Sequence, residues 1–310
     1  MAQHNQAGLV LEQASLARVW RRLRSDDAAG LGRAAADLGC RFPPPEEGYE
    51  EDAAFIYLPV SVLVREGHEI RQDQIAFALG EDMVVTLEPA GGFAPFDRAL
   101  AILRRRPAIP RTAHGVMYAL LQAANSASNQ ILELASAALE GMNRKIREIA
   151  EGYDDAGREL TTDAIGETMS ELNDREELVS RILESQLLLA RAARYLRAEV
   201  EDAELRGLVE TLISDIQSIK EHAGFEHDKV RYLQQSVMTS LNVRQNQVVK
   251  VFTIITAVFL PPTLIATFYG MNFAVMPELS WEWGFTATIL LTLLAALLPL
   301  WYIKRKGWLR

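Results

Sequence analysis

The chain has 310 residues, with 41 acidic against 32 basic side chains and a formal net charge of −9. That balance argues against nucleic acid as a partner, because phosphate binding needs a basic patch, while the length suits one large domain or two moderate ones. Cys40 is the single cysteine, which excludes a disulfide framework and a thiolate metal set and fits a reducing compartment.

No secretory signal is visible at the start of the chain. Residues 1–8 are polar, and 9–24 are interrupted by Glu12, Arg18, Arg21 and Arg22, so the N-terminal half is expected to stay where it is made. Residues 25–52 are rich in Asp, Gly, Pro and Glu and include Pro43-Pro44-Pro45; segment 1–52 is expected to be loosely structured. From Ala54 short apolar runs (55–58, 60–64, 74–79 and 83–87) are separated by Arg65-Glu66-Gly67-His68 and Gly80-Glu81-Asp82. Short runs bounded by turn residues predict a small sheet over 53–90, with a hairpin turn at Gly80.

After Gly91-Gly92 the spacing becomes helical. One helix is expected over 95–106, ended by Pro107 and Pro110. A longer one covers 112–151, with Leu120, Leu121, Ile131, Leu132, Leu134 and Leu139 at helical intervals. A Gly- and Asp-rich break at 152–163 closes an α/β domain with helices, 53–164. Residues 165–200 and 203–250 then read as stalk helices, longer than ordinary globular helices and without stop signals. The fold class is α+β with a long helical stalk.

Residues 251–269 and 284–303 are uncharged, and each is long enough to cross a ~30 Å hydrocarbon core. Between Lys250 and Lys304 there is no Lys, Arg or His, and the connecting loop 270–283 carries only Glu278 and Glu282. The basic tail 304–310 follows the second span. By the positive-inside rule both chain ends are cytoplasmic and the loop faces outward, giving a two-helix transmembrane hairpin in a lipid bilayer. Trp281 and Trp283 mark the outer boundary, Trp301 and Tyr302 the inner one.

The first span carries Thr253, Thr256, Thr263 and Thr267 at intervals of 3, 7 and 4. With Asn246, Val249 and Leu260 they complete a 3-4-3-4 stripe on one face. Threonines in a membrane helix can bond back to the carbonyl one turn earlier without further function; a polar stripe in hydrocarbon can also face a partner helix or water. Two spans cannot enclose a pore, so a pore needs a ring of copies with this stripe inward. Pro261-Pro262 removes the bonds that would reach Ala257 and Val258, so a bend or loosening is expected there.

The first span ends in Tyr269-Gly270-Met271-Asn272, and the loop continues to Met276-Pro277-Glu278-Leu279. With this motif at the outer end of a threonine-striped span, the segment from Asn242 to Leu309 resembles the CorA family of magnesium and cobalt transporters, in its bacterial branch. Phe259-Leu260-Pro261-Pro262-Thr263 belongs to the same match. The resemblance implies a cyclic homopentamer in the cell inner membrane, with the first span lining the pore, the second outside it, and a cytosolic funnel that senses divalent cation. It implies magnesium as cargo and possible regulatory ligand, with cobalt and nickel as further cargo, no resident cofactor and no enzymatic activity. Gly270, Met271 and Asn272 would form the outer selectivity ring, Asn246 the inner mouth, Leu260 a hydrophobic gate and Thr263 an inner ring site. The physical chemistry agrees: magnesium sheds water reluctantly, so amides and carbonyls that touch a hydrated ion hold it weakly enough to conduct. Glu278 and Glu282 would concentrate cations at the outer mouth.

The cytosolic sensing carboxylates do not map onto a motif. Asp215, Glu221, Glu226 and Asp228 are the candidates, although a solvated helix charge is the plainer reading of each. The segment before Ala54 is short for the family's first strand and helix. Arg244 stands where close relatives tend to carry an acid; a ring of arginines there would repel cations unless paired. His222 and His227 are about 140° apart around a helix and cannot chelate together. Two other readings remain: zinc transport by a related branch, or a membrane-anchored scaffold without conductance.

Overall fold

The computed structural model describes residues 16–43, 49–67, 69–106, 109–152, 162–271, 276–277 and 281–307. The expected sheet is present and larger than its sequence outline. Strands β1 (Trp20–Arg24), β2 (Glu50–Glu51), β3 (Ile56–Glu66), β4 (Glu69–Leu79) and β5 (Val84–Glu88) pair in the order β1-β5-β4-β3-β2. The β3–β4 hairpin keeps register from Ile56↔Leu79 to Glu66↔Glu69. It turns at Gly67, whose φ of 63° is left-handed and so favours glycine. The turn after β4 is the expected one, with Gly80 N–H donating to the Met83 carbonyl at 2.9 Å.

The loosely structured N-terminal segment is corrected here. β1 pairs parallel with β5, Trp20↔Val84 to Arg24↔Glu88, and helix α1 (Ala28–Leu38) follows it. Pairing is fixed by side chains across 66 residues: Arg22 grips buried Glu88 with two bonds of 2.6 and 2.7 Å, and Trp20 Nε1 donates to Thr86 Oγ1 at 3.1 Å. Asp27 caps α1 by accepting from Gly30 N–H at 2.8 Å, and Gly39 ends it in the left-handed region. Leu23, Ala34, Cys40, Tyr57, Ala78 and Val85 close one face of the sheet against α1. Burial pushes the Cys40 thiol up to about 11.

The other face packs on helices α2 (Ala94–Arg105), α3 (Ala113–Glu151), α4 (Thr162–Glu199) and α5 (Ala203–Tyr269). Thr112 caps α3 by accepting from Gly115 N–H, and Asp202 caps α5 by accepting from Leu205 N–H at 2.7 Å. Leu205, Val209, Leu212, Ile216, Ala223, Glu226, Val230, Leu233 and Val237 of α5 are buried. With half-buried Ile219 they alternate by four and three residues, the spacing of a left-handed coiled-coil seam against α3 and α4. The stalk and the first membrane span are one helix. It continues through Pro261-Pro262. At ~1.5 Å per residue it is about 100 Å long. Helix α6 (Gly284–Arg305) runs back along it.

Candidate ion pathway

α5 changes character along its length. Through Val237 one face is buried by the bundle; beyond it, no residue of the helix is buried within the protomer. The 18-residue windows of α5 and α6 with mean hydropathy 2.0 are 0% and 6% buried. Phe252, Phe259, Leu264 and Phe268 on α5, and Leu290, Leu294 and Leu298 on α6, all stand exposed. An apolar surface this continuous is covered by lipid or other chains, never by water alone. Trp281, Trp283, Trp301 and Tyr302 are exposed at its two ends, with Arg305 over the Trp301 ring and Lys306 over Tyr302 at 5.4 and 5.7 Å. These are the interfacial anchors expected of a hairpin.

Asn246, Val249, Thr253, Thr256, Leu260, Thr263 and Thr267 are all exposed along one side of α5. Each threonine hydroxyl donates to the carbonyl four residues earlier: Thr253 to Val249 at 2.8 Å, Thr256 to Phe252 at 2.9 Å, Thr263 to Phe259 at 2.7 Å and Thr267 to Thr263 at 2.7 Å. The back-bonding reading therefore holds for all four. Thr288 and Thr292 of α6 do the same, so the bond itself does not mark a pore. What it does is fix polarity. With its proton committed to the helix, each hydroxyl offers only lone pairs outward, and lone pairs accept from the water shell of a cation.

At the outer end Gly270 N–H donates to the Ala266 carbonyl at 3.0 Å, and a Cβ there would lie 3.2 Å from that oxygen. The close approach favours glycine. Met271 is exposed, as is Glu282; Asn272 and Glu278 lie outside the described residues.

The acidic candidates of the stalk separate. Glu226 is 2% exposed, accepting from Ser136 Oγ of α3 at 2.7 Å with Lys229 Nζ at 3.3 Å and His222 Nε2 at 3.6 Å. Asp215, Glu221 and Asp228 are exposed, Glu221 accepting from Gln217 Nε2 at 2.8 Å. Among the described residues no three His, Cys, Asp or Glu side chains come together to hold a metal ion. The two histidines are apart as expected, and His227 instead points at Glu176 of α4, 3.9 Å away. A heptad count along α5 would have flagged Glu226 as buried, since it falls on the apolar seam.

Arg244 has a different place from the one its position suggests. Its Nη2 donates to the carbonyl of Gly152, the left-handed residue (φ 87°) that ends α3, at 3.2 Å. A cation at a helix C-terminus meets the unpaired carbonyls and the negative end of the dipole. The guanidinium thus ties α5 to the tip of the helical bundle.

Comparison with known proteins agrees with this architecture. The family profile described as CorA-like Mg2+ transporter protein matches residues 40–305. The magnesium transport protein CorA of Wolinella succinogenes is 28% identical over 242 residues, covering 78% of this chain and 71% of that one. That of Escherichia coli strain K12 is 34% identical over 187 residues, 58% of each chain, so the match spans little more than half of that relative. The complete structure of the CorA magnesium transporter from Methanocaldococcus jannaschii superposes with a TM-score of 0.74 at 18% identity, covering 94% of this chain and 92% of that one, and shows a shared fold. With the profile spanning β2 to β5, the bundle and both apolar helices, the chain belongs to the family of CorA-like Mg2+ transporter proteins.

Proposed function

We propose that the chain assembles as a homopentamer around α5 and passes hydrated magnesium, and with it cobalt and nickel, across the inner membrane, both chain ends being cytoplasmic. The observation that carries this reading is the exposed stripe from Asn246 to Thr267, whose hydroxyls are turned into acceptors by back-bonding. A ring of copies gives the stripe an aqueous path, and a single copy cannot. Hydrated ion is selected at a ring of Gly270, Met271 and Asn272, while rings of Leu260 and Val249 close the path by dewetting. Glu278 and Glu282 raise the local cation concentration at the outer mouth. The relatives named as magnesium transport proteins support the choice of cargo. Zinc is the poorer fit, because no imidazole or thiolate stands on the stripe.

The test is ion flux into proteoliposomes with magnesium, cobalt and zinc in turn. Asn272→Ala is expected to lower magnesium flux at least about tenfold, the cost of weakening a site by ~1.4 kcal/mol. Equal flux in both proteins removes the selectivity ring, and absence of flux in the wild type leaves a membrane-anchored scaffold. Control by cytosolic magnesium acting on Asp215, Glu221 and Asp228 predicts that millimolar magnesium slows proteolysis of the α3–α5 bundle. Identical digestion with and without it removes that control.

A further inference from the structure

The two ends of the hairpin are built differently. At the loop end the exposed indoles of Trp281 and Trp283 flank Glu282, and there is no Lys, Arg or His from Val251 to Ile303. At the stalk end the exposed rings of Trp301 and Tyr302 stand with Lys250, Lys304, Arg305 and Lys306. Twenty residues separate Lys250 from Gly270 on α5, and twenty separate Gly284 from Lys304 on α6. At ~1.5 Å per residue both runs are about 30 Å long, so antiparallel helices bring the four cations to about one depth. None of the four forms an ion pair among the described residues. On α5 the nearest carboxylate toward the bundle is Asp228, 22 residues and ~33 Å away.

Two of these cations are held in place. The Arg305 guanidinium lies over the Trp301 ring at 5.4 Å, and the Lys306 ammonium over Tyr302 at 5.7 Å. Each ring is four residues back, one turn nearer the hydrocarbon. A free Arg or Lys at a helix end extends its head toward water. Attraction to the ring quadrupole draws it back to headgroup depth instead. The Trp301 ring covers one face of the guanidinium and leaves its N–H edge open. That edge is a pair of parallel donors, the arrangement a phosphate accepts from bidentately.

We infer that the stalk-side end of the hairpin is a binding site for anionic phospholipid. Arg305 and Lys306 take the phosphate, Lys250 and Lys304 complete the charge, and the acyl chains lie along the uncovered faces of α5 and α6. The inference goes beyond the transport reading and does not rest on it; it needs only the hairpin in a bilayer. Lipid is the occupant because the cations adjoin the apolar surface directly. The membrane windows of the two helices are 0% and 6% buried, so a chain attached to the phosphate has a surface to lie on. A zwitterionic headgroup brings its own ammonium to four uncompensated cations, whereas a headgroup of net negative charge does not. Each cation near an anionic surface is worth about fivefold in affinity.

The test is thermal unfolding of the full chain in neutral detergent, with phosphatidylglycerol, phosphatidylcholine or soluble glycerol 3-phosphate added in turn. Phosphatidylglycerol is expected to raise the melting temperature, and the other two to leave it unchanged. Arg305→Gln combined with Lys306→Gln should lose most of that rise, an affinity loss of about 25-fold if the two cations act independently. Arg18→Gln combined with Arg33→Gln, which removes two exposed cations of the N-terminal part, should keep it. An equal rise in the wild type and the 305/306 variant overturns the site and leaves those cations only to orient the hairpin. A rise with glycerol 3-phosphate makes the site one for phosphate esters at large and overturns the lipid. Native mass spectrometry of the wild type gives a second reading that needs no variant to fold. From an equal mixture the chain should retain phosphatidylglycerol over phosphatidylcholine, and equal retention overturns the inference. Proteoliposomes without magnesium flux would remove the transport reading while the lipid-dependent rise stands.

Discussion

The two halves of α5 obey different rules although one helix joins them. Its N-terminal half, to Val237, buries a seam of nine residues against α3 and α4. In its membrane half, which packs on α6, no residue is fully buried in the protomer. The first half is held by its own chain. The second depends on what surrounds it, and that difference separates the part of the molecule that specifies the fold from the part that specifies the assembly.

Truncation should expose the contrast most strongly. Leu233→Ala in the buried seam is expected to cost ~2–4 kcal/mol in denaturant unfolding of the detergent-solubilised protein, whereas Leu264→Ala should stay within ~0.5 kcal/mol. Equal losses would break the comparison. Glu226 is the seam's exception. Removing its carboxylate with Glu226→Ala strands Lys229 and Ser136 in a buried site and should cost ~1–3 kcal/mol, while Glu226→Gln retains the Ser136 bond and costs less. The join between the halves is Arg244. Arg244→Ala should loosen the last turn of α3 by ~0.5–1 kcal/mol, read as faster amide exchange just before Gly152 with the rest of the bundle unchanged.

The smallest effect belongs to the sheet and is set by pH. Partial burial raises the Asp52 carboxyl, but hydrogen bonds from Ala54 N–H, Tyr57 OH and Phe55 N–H outweigh it and hold the carboxyl below its ordinary value. Its folded value being the lower, the stabilisation is present above the unfolded value near ~3.9 and is lost as pH falls through the folded one. The stability difference between wild type and Asp52→Asn should therefore shrink below about pH 4.

Much of this was legible in the sequence. Uncharged stretches, the one-sided distribution of Lys and Arg, and the interval of the threonines follow from the solvent each segment meets, and they locate the hairpin and its striped face. The hairpin strands and α2 to α4 follow from local period and turn residues. β1 was hidden because its three arginines mask the alternation in Trp20–Arg24, and because its partner is β5, more than sixty residues away. α1 was hidden by its glycines and by the Asp- and Pro-rich stretch around it. In the candidate site, the stripe was readable, but the fate of each charge was not. Glu226 and Asp228 stand two residues apart; one is buried beside Ser136 and the other is exposed, a distinction that only the seam against α3 creates. Arg244 likewise reads as a free cation until α3 ends beside it.

The unbroken run of α5 has a mechanical consequence. A shaft of about 100 Å magnifies small rotations: one degree of tilt at the membrane displaces the far end by ~1.7 Å, close to the rise of one residue. Read in reverse, a bundle that shifts by the rise of a single residue at the far end tilts the membrane part of α5 by only about a degree. Motion passed along such a lever toward the membrane gains force and loses travel.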